Sequence, residues 1–182
     1  MGYVEAEGSK TPGGSCHLVA MPLPARGHIN PMMNLCKLIA SKARDDDDDD
    51  EEKEGDILIT FVVTEEWLGF LSSDPKPANI RFRSIPNVIP SENGRVGNLN
   101  GFFEAVMTQM EGPFEQLLDQ LEIAPTAIIT DNYMKWTVAL ANRRNIPVAS
   151  LCTFSPSAFL AVYHFQLLVQ NGHFPPDSSG MP

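Results

Sequence analysis

The chain has 182 residues, 43% of them hydrophobic, which is enough apolar material for one folded domain. Its formal charge is −10, but residues 45–54 hold nine acidic residues and one lysine, so they account for −8 of it. The rest of the chain shows no basic face and no apolar run as long as a membrane helix, which excludes a nucleic-acid-binding protein and an integral membrane protein.

The cysteine and histidine spacings exclude two further kinds of site. Cys16, Cys36 and Cys152 are odd in number, widely spaced and without a CxxC pair, which predicts free thiols in a reducing compartment. The four histidines lack zinc-like spacing, so we expect no metal. The first residues show neither the basic nor the apolar segment of a secretory signal, so we expect a cytoplasmic protein.

Strands and helices alternate along the chain after residues 1–15, a small and polar tail that we expect to be disordered. Residues 16–182 are expected to form one domain, and the acidic run 45–54 a solvated loop inside it. The predicted strands are Cys16–Met21, Asp56–Thr64, Ile80–Ile85, Ala127–Thr130 and Ile146–Thr153. The predicted helices are Ile29–Ala43, Glu65–Leu71, Leu99–Glu111, Pro113–Glu122, Asn132–Arg144 and Pro156–Gln170.

This alternation predicts an α/β fold, a doubly wound parallel sheet with helices on both faces. Right-handed crossovers favour the strand order 3-2-1-4-5. In such a sheet, ligands bind beyond the carboxyl ends of the strands, where the order reverses, which here lies between the first and fourth strands.

Two ionisable residues fall at that point in the sequence. His28 follows the first strand, and Asp131 directly follows the fourth. The start of a helix disfavours imidazolium, so His28 can accept a proton, while Asp131 can orient the ring and stabilise the cation that forms. The pair suits deprotonation of a substrate hydroxyl. The alternatives are that His28 is a packing or capping residue and that Asp131 caps the following helix.

Two blocks of sequence resemble plant UDP-dependent glycosyltransferases. CHLVAMPLPARGHINPMM, residues 16–33, is similar to the N-terminal signature of that family, and TAIITDNYMKWTVALANRRNIPVASLCTFSPSAF, residues 126–159, to its second conserved block. The resemblance covers about residues 16–175. It implies a GT-B fold with two Rossmann-like domains, of which this chain is the N-terminal, acceptor-binding one.

The resemblance also implies roles for individual residues. His28 matches the general base and Asp131 its acidic partner. Thr153 matches a position near the donor sugar, although it could equally cap a strand end, and Gly27 would let the backbone approach the ligand, or form an ordinary turn. Apolar residues that line the acceptor pocket or belong to the core are Phe102, Phe103, Met107, Met110, Tyr133 and Phe154.

The implied reaction joins a small hydrophobic acceptor to the sugar of a UDP-sugar, expected to be UDP-glucose, with inversion and with neither metal nor cofactor. The family's UDP-sugar-binding signature is not found in this sequence. We therefore expect a fragment that lacks the C-terminal donor domain and is inactive alone. The alternative is a non-catalytic module, from a truncated gene product, that binds an acceptor or a partner. A Rossmann-type nucleotide binder is disfavoured because GxGxxG is missing after the first strand.

Overall fold

The computed structural model describes residues 16–42, 57–71, 73 and 75–174. The tail 1–15 and the acidic run 45–54, both subjects of prediction above, lie outside the described residues. The chain forms two compact units, Met1–Leu151 and Cys152–Pro182, which are treated separately below. In the described part, no helix is both long enough and apolar enough to span a membrane.

The first unit is built on one five-stranded parallel sheet of order β3-β2-β1-β4-β5. The strands are β1 (His17–Met21), β2 (Leu58–Thr64), β3 (Ile80–Ile85), β4 (Ala127–Asp131) and β5 (Val148–Leu151). The predicted fold class and strand order are confirmed, and the order reverses between β1 and β4 as expected.

Helices follow the strands, with a 3₁₀ turn at Arg95–Asn98 before the third of them. The helices of the first unit are α1 (Arg26–Lys42), α2 (Glu65–Leu71), α3 (Leu99–Thr108), α4 (Glu111–Asp119) and α5 (Trp136–Arg143). Those of the second unit are α6 (Pro156–Tyr163) and α7 (Phe165–Gln170).

Several predicted boundaries were wrong. Helix α1 begins at Arg26 rather than Ile29, because the Ala25 carbonyl already accepts hydrogen bonds from the N–H groups of His28 and Ile29, both at 2.9 Å. Helix α5 begins four residues later than predicted, since Asp131 and the residues after it form a turn instead.

The C-terminal elements also differ from prediction. Strand β5 spans only Val148–Leu151 rather than Ile146–Thr153. The single helix predicted over Pro156–Gln170 is two helices, because the backbone leaves helical geometry at His164, where φ is −98° and ψ is 16°. Strand β5 was thus predicted too long, and the break at His164 was missed.

The central strands β1 and β2 are buried on both faces of the sheet, whereas β3 and β5 at its edges carry exposed residues. Alternate residues of β1 point to opposite sides, so Val19 and Met21 join one core and Leu18 and Ala20 the other. The first core packs the sheet against α3, α4 and α5, and the second packs it against α1 and α2. Strand β1, buried along its whole length, therefore holds the centre of the unit and fixes where its carboxyl end emerges.

A prediction concerns Cys36, which lies fully buried in α1. Burial raises the pKa of its thiol from 9.0 to about 12, because the thiolate is poorly solvated there. At pH 8 the buried thiol should carry about 1000-fold less thiolate than one of ordinary pKa. Iodoacetamide should therefore alkylate Cys36 far more slowly than the exposed Cys16.

Peptide mapping by mass spectrometry after timed labelling measures both sites in one sample. Labelling in urea is the control, because unfolding should remove the protection of Cys36. Equal labelling rates for Cys16 and Cys36 in the folded chain would contradict the buried position of α1 in this structure.

Candidate active site

The two residues predicted to pair across the switch point are in contact. Nδ1 of His28 lies 2.7 Å from Oδ2 of Asp131, although the two residues are 103 positions apart in the chain. The Asp131 side chain is fully buried, whereas that of His28 is 16% exposed. The contact thus joins a buried carboxylate to a ring that solvent can reach.

The backbone around His28 explains how the ring is placed. Strand β1 ends at Met21, and a short buried segment, residues 22–24, leads into α1. His28 occupies the first turn of α1, where N–H groups and the helix dipole create a positive potential. An anionic partner is favourable at this position, and the Asp131 carboxylate supplies one.

Asp131 is the last residue of β4, and it does not cap α5. The residue at the N-cap of α5 is Lys135, with no capping hydrogen bond from its side chain. The second carboxylate oxygen, Oδ1, instead accepts the N–H of Tyr133 at 3.0 Å, while the Asp131 carbonyl accepts that of Met134 at 3.0 Å. These bonds form a tight turn that orients the carboxylate towards His28.

The hydrogen bond determines which ring nitrogen carries the proton. A carboxylate only accepts hydrogen bonds, so Nδ1 of His28 is the donor and a neutral ring has its lone pair on Nε2. A proton taken up at Nε2 makes the ring a cation directly against the Asp131 carboxylate, which lowers the energy of that cation. The pair is therefore chemically competent as a general base with an acidic partner.

Aromatic side chains lie beside the pair. The ring of Tyr133 meets that of His28 edge to face, with their centroids 5.7 Å apart. The ring centroid of Phe103 lies 5.5 Å from that of Tyr133. Phe103 and Met107 are exposed on α3, 38% and 42% respectively, whereas Phe102 and Met110 are buried in the core. An apolar surface formed by Tyr133 and Phe103 thus adjoins the candidate base.

The remaining predicted site residues are placed as follows. Gly27 lies in the first turn of α1, and a Cβ atom built there would meet no atom of the described residues within 4 Å beyond its chain neighbours and the backbone of its own helix. The fold itself therefore does not require glycine at this position. Thr153 and Phe154 follow β5 in the second compact unit, and their roles stay predictions. No cluster of three or more potential metal ligands occurs among the residues that the structure describes.

Sequence reasoning missed Arg95. Its guanidinium is buried, donates a hydrogen bond from Nη1 to the carbonyl of Pro24, and lies 4.1 Å from the ring centroid of Phe102. It sits in a segment rich in proline, glycine and asparagine, where no periodic pattern signals burial. No local signal could have revealed it, because the contact with Pro24 spans 71 positions.

The sheet order and the helices that flank it define a Rossmann-like α/β domain. A solved structure of UDP-glucose:anthocyanidin 3-O-glucosyltransferase in complex with UDP superposes on 88% of this chain with a TM-score of 0.67 and 19% identity. The chain covers 35% of that protein. At this identity the likeness concerns the fold.

Sequence comparison finds relatives at higher identity. The chain is 48% identical over 159 residues to UDP-glycosyltransferase 87A1 of Arabidopsis thaliana, and 48% identical over 158 residues to UDP-glycosyltransferase 87A2 of the same plant. These alignments take in 87% and 86% of this chain, but only 34% and 32% of the two relatives. No protein-family model matches the chain. The predicted resemblance is confirmed: the chain is a relative of plant UDP-glycosyltransferases that spans about a third of their length.

A prediction follows from the His28–Asp131 hydrogen bond. In Asp131→Asn, the amide oxygen can still accept the N–H of Tyr133, which turns the NH₂ group towards Nδ1 of His28. Two donors would then face each other, so the neutral ring should move its proton to Nε2. Two-bond ¹⁵N–¹H correlation spectra of the 182-residue chain, recorded well above pH 7, distinguish the two tautomers.

His17 provides an internal control in the same spectra. Its Nδ1 lies 2.8 Å from the Ile123 carbonyl and its Nε2 lies 2.8 Å from Oγ1 of Thr60, so it does not contact Asp131. The tautomer of His17 should be the same in both proteins. An unchanged tautomer of His28 in Asp131→Asn would show that the carboxylate does not orient the ring.

Proposed function

We propose that this chain is the N-terminal, acceptor-binding half of a UDP-glycosyltransferase, in which His28 is the general base and Asp131 its partner. The observation that carries the proposal is the 2.7 Å contact between Nδ1 of His28 and Oδ2 of Asp131 at the switch point of the sheet. The identity of 48% to plant UDP-glycosyltransferases supports the reaction class independently of that geometry.

The reaction is a substitution at the anomeric carbon of a UDP-sugar. Nε2 of His28 removes the proton of the acceptor hydroxyl as its oxygen attacks that carbon, and the bond from the carbon to the UDP oxygen breaks. UDP leaves with the bonding electron pair, and attack from the opposite face inverts the configuration. Asp131 stays ionised and stabilises the imidazolium while the charge develops. A His–Asp pair needs neither metal nor redox cofactor for this step.

The acceptor is proposed to be a small hydrophobic molecule that carries a hydroxyl group. Tyr133 and Phe103 present apolar surface next to His28, where the flat ring of such an acceptor could pack. Gly27 is proposed to leave room for the ligand beside the same turn, since no described atom outside its own helical turn lies within 4 Å of a Cβ built there. Thr153 and Phe154 are proposed to contact the sugar and the acceptor, respectively.

The donor is proposed to be UDP-glucose, bound mainly by a C-terminal domain outside this sequence. The structural relative described above is named for UDP-glucose, which supports that choice of sugar. The whole protein is proposed to act in the cytoplasm.

We predict that His28→Ala, in the complete enzyme, lowers kcat by about 10²- to 10⁴-fold, the usual contribution of general base catalysis. Product formation from UDP-glucose and a panel of phenolic acceptors measures the effect. Asn34→Ala is the matched control, because Asn34 is exposed six residues further along the same helix and its replacement should leave kcat unchanged. A His28→Ala enzyme that retains most of its activity while folded would exclude His28 as the base.

The alternative function is a non-catalytic module that binds an acceptor or a partner. We predict that the 182-residue chain alone binds a phenolic acceptor, seen as a change in Trp fluorescence or NMR shifts near Tyr133, but transfers no sugar from UDP-glucose. Turnover by the chain alone would contradict the proposed division of the site between two domains.

A further inference from the structure

Arg95 is an unusual residue for the interior of this protein. It is 7% exposed, and together with Asp131 it makes up the buried Lys, Arg, Asp and Glu residues of the described part of the chain. Its side chain contacts Pro24 in the segment before α1 and Phe102 in α3. A buried charge of this kind needs a physical reason.

The nitrogen atoms of the guanidinium differ in whether they have hydrogen-bond partners. Nη1 donates to the Pro24 carbonyl and forms an ion pair with Glu92, and the guanidinium plane lies over the ring of Phe102. Nε and Nη2 are buried with no hydrogen-bond partner in the described part of the structure. Glu92 is itself 37% exposed, so the ion pair is only half shielded from water.

These contacts do not make Arg95 a strong source of stability. Buried donors without partners are unfavourable, and apolar residues of similar volume often replace buried charges at little cost or with a gain in stability. A methionine at this position would keep contact with Phe102 and remove two unpaired donors. The arginine is therefore better explained by what its one well-placed hydrogen bond holds.

That hydrogen bond holds the segment that leads to His28. Residues 22–24 are buried, so the carbonyl of Pro24 needs a hydrogen-bond donor. Arg95 supplies it. The next residue, Ala25, accepts the N–H groups of His28 and Ile29 and so begins α1. Arg95 thus fixes the peptide directly before the turn that carries the candidate base.

A second line of contacts leads from Arg95 to the same ring. The guanidinium lies over Phe102, whose ring is 5.2 Å from Phe103, and Phe103 in turn contacts Tyr133 beside His28. Arg95 is therefore connected to His28 in two ways, through the backbone at Pro24 and through a series of aromatic rings.

We propose that Arg95 is a positioning residue, which holds the segment before α1 so that the His28 ring stays in hydrogen-bonding contact with Asp131. The catalytic meaning of this role rests on the proposed glycosyltransferase function, but the structural role can be measured without it. Arg95 is not itself expected to touch the reacting atoms.

The test compares Arg95→Met and Arg95→Lys with Arg81→Met, which removes an exposed arginine from β3. In the 182-residue chain, Arg95→Met should stay folded but lose about 2 to 10 °C in Tm, because the buried Pro24 carbonyl loses its donor. The ¹⁵N and ¹H signals of the His28 ring should nevertheless move towards a mixture of tautomers, while those of His17 stay fixed. Arg95→Lys keeps a cation and a donor, so it should restore part of the native His28 signal. Arg81→Met should change neither.

In the complete enzyme, Arg95→Met should lower kcat by about 100-fold, with the acceptor KM little changed, because a displaced base slows chemistry rather than binding. Native His28 signals and native kcat in Arg95→Met would overturn the proposal. If Arg95→Met fails to fold, Arg95→Leu, which also removes the donor to Pro24, decides: a folded variant with a displaced His28 ring supports positioning, and one with a native ring and native kcat overturns it. If Arg95→Met perturbs the His28 signals but His28→Ala leaves kcat unchanged, Arg95 still positions the ring and the proposed function is rejected.

Discussion

The site depends on one topological constraint, the crossover that places β4 beside β1. The two strands pair in parallel from Leu18 with Ala127 to Met21 with Thr130, so the next residues along both strands emerge at the same edge of the sheet. Asp131 comes immediately after that register, and the chain that leaves Met21 reaches His28 after one short loop and half a helical turn. Without this pairing, residues 103 positions apart would have no reason to meet.

The buried carboxylate of Asp131 determines much of the local structure around it. A buried charge must be compensated, and here the N–H of Tyr133, the Nδ1 proton of His28 and the positive end of α1 all act on the same group. The turn that presents the N–H of Tyr133 also places the Tyr133 ring against His28. The Asp131 carboxylate therefore contacts the candidate base, and the turn that it stabilises places the Tyr133 ring and delays the start of α5.

Sequence reasoning succeeded where the pattern was regular. Strands such as β2, with its run of β-branched residues, and the alternation of strands with helices were enough to predict the sheet order and, through it, the His28–Asp131 pair. It failed at ends and breaks, as at Arg26 and His164, because a helix boundary depends on one or two hydrogen bonds rather than on periodicity. Arg95 was beyond its reach, since the burial of an arginine in a loop depends on a carbonyl 71 positions away.

The segment between β1 and α1 links these features. Loops usually lie at the surface because buried backbone groups need partners, yet residues 22–24 are buried. Two prolines reduce the number of N–H groups to satisfy and restrict the backbone, and Arg95 satisfies the carbonyl that remains at Pro24. The N–H of Ala25 adds a tight local bond to the Leu23 carbonyl at 2.7 Å. His28 thus follows a short segment whose backbone has little freedom to move. A general base held in this way is already in place when a hydroxyl binds. The ligand does not have to order it first.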